Sequence, residues 1–202
     1  MNSRLWIKIC GLTTAAGVEG AIRARVDAIG FVFAPSKRRV TPQRARELSR
    51  DVPASIARVA VFQHPDQALV DEVCDVLQPD FVQTDVEDLA TLRLPDTVRV
   101  NPVVRAGCAA PDALPTRIVY EGPVSGTGTT VDWSAAALIA RRTRLILAGG
   151  LNPENVAAAI RVVNPHGVDV SSGVEASAGI KDPALIMRFV SAAREAQDVL
   201  VV

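Results

Sequence analysis

The feature that most constrains the fold is a regular alternation of short apolar runs with longer, Ala-rich amphipathic stretches along the chain. This pattern is typical of repeated βα units, in which the strands lie parallel. Eight candidate strands are present: Arg4–Cys10, Asp27–Phe33, Ala57–Phe62, Phe81–Thr84, Val98–Pro102, Arg117–Tyr120, Arg144–Ala148 and Gly167–Val170. A doubly wound open sheet is the alternative, but eight units favour closure into a (β/α)8 barrel.

Helical stretches are clearest between most of these strands. They lie at Thr14–Arg25, Pro42–Asp51, Pro65–Leu77, Ser134–Arg141, Pro153–Val163 and Pro183–Ala196. Several follow a side-chain acceptor placed before a proline, as in Thr41-Pro42, Asn152-Pro153 and Asp182-Pro183, which is a helix-start signal. The segment after the fifth strand, from Val103 to Pro115, is interrupted by glycine and proline, and we expect only a vestigial helix there. The units use the whole chain, so we predict one α/β barrel domain over residues 1–202.

Composition excludes several classes of function. Lys plus Arg and Asp plus Glu are equal at 22 each, so no net charge favours nucleic acid or an anionic membrane. The three cysteines, Cys10, Cys74 and Cys108, form no C-x-x-C pair that would suggest zinc or a redox centre. With no signal-type N-terminus and no long uncharged apolar run, we expect a cytoplasmic protein without a metal site.

Two loops at the end of the chain have the composition of a phosphate site. In a barrel, chemistry lies at the carboxyl ends of the strands, and phosphate commonly binds after strands seven and eight. Strand seven is followed by Gly149-Gly150, which lets the backbone approach a ligand, and strand eight by Ser171-Ser172-Gly173. Each loop alone also fits a tight turn or a helix cap. Because both occur where a barrel binds phosphate, we predict a phosphate site.

A thiol and a carboxylate are candidates for acid–base chemistry. Cys10 closes the first strand, so its thiol should enter the barrel mouth, where a nearby cation such as Lys8 would favour the thiolate. The alternative is an inert buried cysteine, the interpretation we give Cys74 and Cys108. Asp132 follows a Gly/Thr-rich loop that contains Gly126 and Gly128 and that could close over a ligand. An N-cap is the simpler role for Asp132, and the two roles are compatible.

Three further side chains should face the same barrel mouth. Arg38 lies in the loop after the second strand and could clamp a substrate carboxylate in bidentate fashion, although a basic loop is often only a solvated face. Gln83 and Asp85 stand at the end of strand four, and we expect both to face the substrate.

Several motifs, taken in order, resemble one enzyme family over nearly the whole chain. They are Lys8–Thr13, Gly30–Phe33 with Ser36–Arg38, Val59–Phe62, Gly126–Gly128 with Asp132–Trp133, Ala148–Val156, and Val168–Glu175 followed by Gly179 and Lys181-Asp182. The family is phosphoribosylanthranilate isomerase of tryptophan biosynthesis. The resemblance implies the Amadori rearrangement of N-(5'-phosphoribosyl)anthranilate to 1-(2-carboxyphenylamino)-1-deoxyribulose 5-phosphate, without metal or organic cofactor.

The resemblance also implies roles for individual residues. The general base of the family falls on Cys10, the general acid on Asp132, and the arginine that meets the anthranilate carboxylate on Arg38. The acid must be protonated when it reacts, and burial beneath a closed loop would raise its pKa accordingly. The implied partner is a small phosphosugar, and the sequence leaves monomer and homodimer both open.

At several positions this sequence differs from the usual family motifs. These positions are expected to lie around the substrate, and the implied acid and base are unchanged. The usual Val-Gln-Leu-His-Gly of strand four reads Val82–Val86 with Thr84-Asp85 at its centre, and the usual loop lysine is Thr129. Ser125 replaces a loop glycine, and Tyr120-Glu121 replaces the usual aspartate at the end of strand six. Two alternatives therefore stay open: an isomerase of a related aminoaldose phosphate of the histidine-pathway type, and a catalytically silent phosphosugar-binding barrel.

Overall fold

The strands close into a barrel. In the computed structural model, which describes residues 4–107, 113–123 and 130–200, eight parallel strands pair in sequence order and β8 pairs with β1. The strands are β1 (Trp6–Cys10), β2 (Ala28–Val32), β3 (Ala57–Val61), β4 (Phe81–Asp85), β5 (Arg99–Arg105), β6 (Arg117–Glu121), β7 (Arg144–Leu147) and β8 (Gly167–Val170). The predicted (β/α)8 barrel is confirmed. The largest difference from the predicted strands is β5, which runs three residues further, to Arg105.

Helices surround most of the barrel. They are α1 (Ala15–Arg23), α2 (Pro42–Leu48), α3 (Gln67–Leu77), α4 (Trp133–Ala140), α5 (Val156–Val163) and α6 (Pro183–Leu200). The connection after β4 contains only a 3-10 turn at Asp88–Ala90, which the sequence did not indicate. Between β5 and β6 the described residues contain no helix, and residues 108–112, with Cys108, lie outside them.

Side-chain acceptors set the start of the helices. Thr41 Oγ1 accepts a hydrogen bond from the Arg44 amide at 3.1 Å, as its position before a proline predicted. Asn152 Oδ1 accepts from the Glu154 and Asn155 amides at 2.9 Å each, as its position before a proline predicted, but helix α5 begins three residues later than predicted, at Val156. A turn of chain therefore separates the Gly149-Gly150 loop from α5.

The strands bury side chains on both faces. One set of alternating residues, such as Ile7 and Ile9, packs under the helices in the main core. The other set fills the barrel interior, where Val103, Val119, Ile146 and Ala148 form one apolar cluster. Between the aromatic N-terminal end of the interior and its open C-terminal end lie four buried polar side chains: Lys8, Gln83, Asn101 and Asp169. The interior is thus a packed core that becomes polar toward the end where chemistry is expected.

Two short strands follow β8. Strand β9 (Glu175–Ser177) pairs antiparallel with β10 (Ile180–Lys181), after a 3-10 turn at Ser172–Val174. This hairpin brings Glu175 and Lys181 to the barrel mouth. Within the described ranges, no helix combines the length and apolarity that crossing a membrane requires.

Candidate active site

The thiol of Cys10 stands at the carboxyl end of the barrel, as the last residue of β1, and the residue is 8% exposed. Glycines on both sides make room for it. A Cβ on Gly30 of β2 would lie 2.8 Å from Lys8 Cε and 3.1 Å from Cys10 Sγ. Gly11 has a φ of +74°, and its Cβ would lie 2.6 Å from Arg38 Cδ. Both glycines therefore allow charged side chains to crowd around the thiol.

Beneath the thiol lies a buried ion pair. The Lys8 side chain is completely buried, and its Nζ donates to Asp169 Oδ2 at 2.6 Å and to Gln83 Oε1 at 3.0 Å. Burial lowers the pKa of Lys8, but Asp169 and Cys10 more than offset this effect and raise it overall. Lys8 is therefore a permanent ammonium within hydrogen-bonding reach of the Cys10 thiol.

The pKa of the Cys10 thiol is shifted upward, whereas we expected a nearby cation to lower it. Burial raises the pKa of the thiol, and the positive charges of Lys8 and Lys181 lower it by less, so the pKa lies above its ordinary value. The predicted cation is present, but Asp169 neutralises much of its field. The thiol is therefore protonated at neutral pH in the substrate-free protein.

Arg38 belongs to a half-buried charge cluster at the same mouth. Its Nε and Nη2 donate to Glu175 Oε1 and Oε2 at 2.6 and 3.0 Å, in a bidentate pair. Lys181 Nζ donates to Glu175 Oε1 at 2.7 Å. Although burial opposes it, these bonds lower the pKa of Glu175 to about 2. One bidentate edge of Arg38 is thus occupied by Glu175, and its Nη1 has no partner among the residues that the structure describes.

The two predicted phosphate loops meet each other at this end. Gly149 and Gly150 have φ values of +89° and +64°, so both need the left-handed backbone that glycine supplies. Gly173 passes so close to the other loop that a Cβ would lie 1.9 Å from the Leu151 carbonyl oxygen. Ser172 and Gly173 lie in the 3-10 turn that follows Ser171.

Ser171 connects these loops to the thiol and to the charge cluster. Its Oγ donates to the Cys10 carbonyl oxygen at 3.1 Å. Lys181 Nζ donates to the Ser171 carbonyl oxygen at 2.9 Å and to its Oγ at 3.2 Å. The structure therefore brings the predicted phosphate residues, Cys10 and Arg38 together at one face.

Asp132 caps helix α4. Its Oδ1 accepts from the Ser134 and Ala135 amides at 2.8 and 3.4 Å, so the predicted N-cap is present. The carboxylate is exposed, and it faces the Tyr120 phenol, whose pKa is raised by burial and by the Asp132 charge. The burial that we expected for the acid is thus absent among the described residues. Gly126 and Gly128, in the loop predicted to cover it, lie outside them.

Asp85 is neutralised by an arginine that the sequence analysis did not single out. Arg105 Nε and Nη2 donate to Asp85 Oδ1 and Oδ2 at 2.6 and 3.1 Å, and its Nη1 donates to Glu121 Oε2 at 3.1 Å. Asp85 is only 4% exposed. Two of the departures, Asp85 and Glu121, therefore share one cation, and Asp85 does not present an uncompensated charge to an anion.

A histidine next to this network could suggest a metal site. One ligand atom each from His64, Asp85 and Asp88 lie within 4.8 Å of one another. However, Asp88 Oδ1 already contacts His64 Nδ1 at 2.8 Å, Asp88 Oδ2 accepts from Thr84 Oγ1 at 2.5 Å, and Arg105 occupies Asp85. We interpret the cluster as a hydrogen-bonded network rather than as a metal centre.

Four site residues were not predicted from the sequence: Asp169, Glu175, Lys181 and Arg105. Asp169 had a usable signal, because a carboxylate inside an apolar parallel strand is rarely buried without a partner. Glu175 and Lys181 lie beyond β8, and only the hairpin brings them back to the mouth. Arg105 lies beyond the predicted end of β5.

Fold and site together define a (β/α)8-barrel enzyme with a thiol, a carboxylate and clustered cations at its catalytic face. Residues 7–192 match the family model of N-(5'-phosphoribosyl)anthranilate isomerase. The chain belongs to this family.

Individual relatives agree with the family match. The N-(5'-phosphoribosyl)anthranilate isomerase of Streptococcus pneumoniae (strain Taiwan19F-14) is 39% identical over 186 residues, which cover 91% of this chain and 93% of the relative. The crystal structure of TrpF from Jonesia denitrificans is 34% identical, covers 96% of this chain and 98% of its own, and superposes with a TM-score of 0.81. A phosphoribosyl anthranilate isomerase in complex with reduced 1-(o-carboxyphenylamino)-1-deoxyribulose 5-phosphate is 32% identical, covers 95% and 99%, and has a TM-score of 0.76.

Proposed function

We propose that this chain isomerises N-(5'-phosphoribosyl)anthranilate to 1-(2-carboxyphenylamino)-1-deoxyribulose 5-phosphate, with Cys10 as general base and Asp132 as general acid. The observation that carries the proposal is the Cys10 thiol, which lies at the barrel mouth in contact with a buried ammonium. Family membership supports the reaction. We place the reaction in tryptophan biosynthesis, in the cytoplasm, and assign it to one catalytic barrel formed by residues 1–202.

The base step follows from the position of Lys8. When the sugar ring has opened to a protonated imine, the C2′–H bond is acidic because its electrons can flow toward the nitrogen. The Cys10 thiolate takes this proton and becomes a thiol, leaving an enolamine that tautomerises to the ketose. Lys8 Nζ, held by Asp169 and Gln83, stabilises the thiolate whenever it forms.

The acid step is assigned to Asp132. A proton delivered to the furanose ring oxygen breaks the C1′–O bond and produces the imine that the base step needs. Asp132 stands at the start of α4 beyond the end of β6, so its carboxyl belongs to the same face as Cys10. Exclusion of water when substrate and loop cover Asp132 would raise its pKa and keep it protonated until the transfer.

The anionic ends of the substrate are assigned to separate cations and amides. The phosphate binds Gly149 and Gly150 after β7 and Ser171, Ser172 and Gly173 after β8. The anthranilate carboxylate binds Arg38, whose Nη1 stays available while Glu175 fixes the other edge of the guanidinium. Gln83 and Asp85 act through Lys8 and Arg105 respectively.

Steady-state kinetics of point variants test these roles. Loss of anthranilate fluorescence reports turnover of phosphoribosylanthranilate, and we expect Cys10→Ala and Asp132→Asn each to reduce kcat by about a hundredfold or more, equivalent to roughly 2.7 kcal/mol. Cys74→Ala is the matched control, because Cys74 is a free, buried cysteine in α3. Wild-type kcat in Cys10→Ala would remove Cys10 from the mechanism, and the same result for Asp132→Asn would remove Asp132.

A further inference from the structure

Three arginines gather at the N-terminal end of the barrel, opposite the catalytic face. Arg99, Arg117 and Arg144 are the first residues of β5, β6 and β7. Arg117 and Arg144 are paired in register across two neighbouring strands. Positive charge is therefore concentrated at one sector of this end, although the chain as a whole has no net charge.

Two aromatic rings form the inner surface of this cluster. The Arg117 guanidinium carbon lies 4.3 Å from the Trp6 ring centroid and 4.9 Å from that of Phe81. Arg99 lies 4.0 Å from the Phe81 centroid on the same sector. Stacking on aromatic faces holds both guanidinium groups in place without supplying them with a negative charge.

Nearby acids do not neutralise these cations. Within residues 4–107, 113–123 and 130–200, no salt bridge joins any of the three arginines to a carboxylate. The acids directly before β2 and β4 have other partners: Asp27 Oδ2 accepts from Arg194 Nη2 at 2.6 Å, and Asp80 Oδ2 accepts from the Arg58 amide at 2.7 Å. Among the described residues, the excess positive charge at this end is thus not balanced locally.

Arg117 is the most exceptional member of the cluster. Its Nε and Nη2 are buried and have no hydrogen-bond partner among the residues that the structure describes. Burial and the charges of Arg99 and Arg144 together lower its pKa to about 10. A buried donor without an acceptor destabilises a fold, and an apolar residue of similar size would avoid both this cost and the repulsion.

The orphan atoms of Arg117 have a specific geometry. Nε and Nη2 form the edge of a guanidinium that pairs with two oxygens of one oxyanion. Arg38 and Arg105 use this same edge, Nε with Nη2, to hold Glu175 and Asp85. In Arg117 no described side chain or carbonyl fills the corresponding edge.

We propose that the N-terminal mouth of the barrel is a second binding site, which takes a small divalent oxyanion of the phosphate class. Two oxygens of the anion accept from Arg117 Nε and Nη2, which are buried without it, so the exposed Arg99 and Arg144 side chains at the rim must move to admit the anion and then close over it. The site is separate from the substrate phosphate loops, which lie beyond the opposite ends of β7 and β8. Occupation by an anion stabilises the barrel at the end remote from catalysis.

The fluorescence of Trp6 tests the proposal directly. The chain has two tryptophans, so a Trp133→Phe background leaves Trp6 as the single reporter at the proposed site. Titration with inorganic phosphate, with ionic strength held constant by sodium chloride, should change Trp6 emission in a saturable manner. The change should disappear in Arg117→Met and persist in the matched control Arg161→Met, an exposed arginine of α5.

Thermal unfolding supplies the second measurement. At ten times the dissociation constant, phosphate should raise the unfolding midpoint of the wild type by roughly 3–6 °C, and this gain should be smaller in Arg117→Met. Without phosphate, Arg117→Met should unfold at a higher temperature than the wild type. Arg117→Lys keeps the charge but loses the planar guanidinium edge, so it should weaken phosphate binding by about tenfold. This variant replaces Arg117→Met in the test if Arg117→Met does not fold.

Two results would overturn the proposal. If Trp6 does not respond to phosphate, the mouth does not bind the anion. If Arg117→Met and Arg117→Lys titrate like the wild type, phosphate binds only at the catalytic face. Sulfate should bind the same site as phosphate, because the site recognises two oxygens and the negative charge of the anion.

Discussion

Replacing Glu175 by Gln removes one charge from the centre of a cluster of two cations. The carboxylate accepts three charge-assisted hydrogen bonds, from Arg38 Nε at 2.6 Å, Arg38 Nη2 at 3.0 Å and Lys181 Nζ at 2.7 Å. A glutamine amide at this position would offer a single oxygen acceptor and would point an N–H group at a cation. Because the Lys181 side chain is fully buried, its charge would lose its main partner.

The magnitude follows from the pKa. Lowering the pKa of Glu175 from 4.5 to about 2 corresponds to roughly 3 kcal/mol in favour of the carboxylate. Since Arg38 is partly exposed, solvent screens part of this, and we expect Glu175→Gln to lower the free energy of unfolding by about 2 kcal/mol at pH 7. The same change should raise KM more than it lowers kcat, because Arg38 loses its orientation.

Urea unfolding at two pH values measures this effect. The folded-state pKa is depressed, so the stabilisation is complete above pH 4.5 and is lost as the pH falls toward about 2. The difference between wild type and variant should therefore shrink between pH 7 and pH 3. Glu154→Gln, which breaks the exposed pair with Arg188 at 2.8 Å, is the control and should change stability by less than about 1 kcal/mol. An equal difference at both pH values would refute the reasoning.

The geometry around the thiol and the proposed phosphate loops supports two further predictions. Gly173→Ala places a Cβ 1.9 Å from the Leu151 carbonyl oxygen, so it should destabilise the fold by roughly 2–4 kcal/mol and raise KM in steady-state kinetics. Gly107→Ala, with a φ of +87° but open space, should cost only about 1 kcal/mol, and equal losses in urea unfolding would contradict this account. Because burial raises the pKa of Cys10, the rate at which iodoacetamide alkylates Cys10, followed by peptide mass spectrometry, should increase about tenfold per pH unit between pH 7 and 9, and a plateau reached below pH 8 would contradict the raised pKa.

The barrel could be predicted from the sequence because its signal is repeated. Each of the eight apolar runs is weak alone, but their regular spacing leaves few alternatives to closure. The position of Cys10 and of the two predicted phosphate loops at one face followed from the same rule, since parallel strands have their carboxyl ends at one end of the barrel. These predictions depended on chain order, not on particular contacts.

The charge balance of the site could not be predicted, because it depends on contacts between distant parts of the chain. The sequence predicted that Asp85 faces the substrate, but it did not reveal that Arg105, twenty positions later, binds both carboxylate oxygens of Asp85. Similarly, the cation next to Cys10 was predicted, but the carboxylate that neutralises it comes from β8. A net pKa is a difference between opposing effects, and sequence reveals only some of them.

The substrate itself provides the most direct test of the central claim. Purified wild-type protein should abolish the fluorescence of phosphoribosylanthranilate with steady-state turnover, and should convert the aminoaldose phosphate of the histidine pathway much more slowly. Such a result would assign the catalytic face to the anthranilate substrate of its family. Unchanged fluorescence would contradict the proposed function, whether or not the protein converts the histidine-pathway substrate.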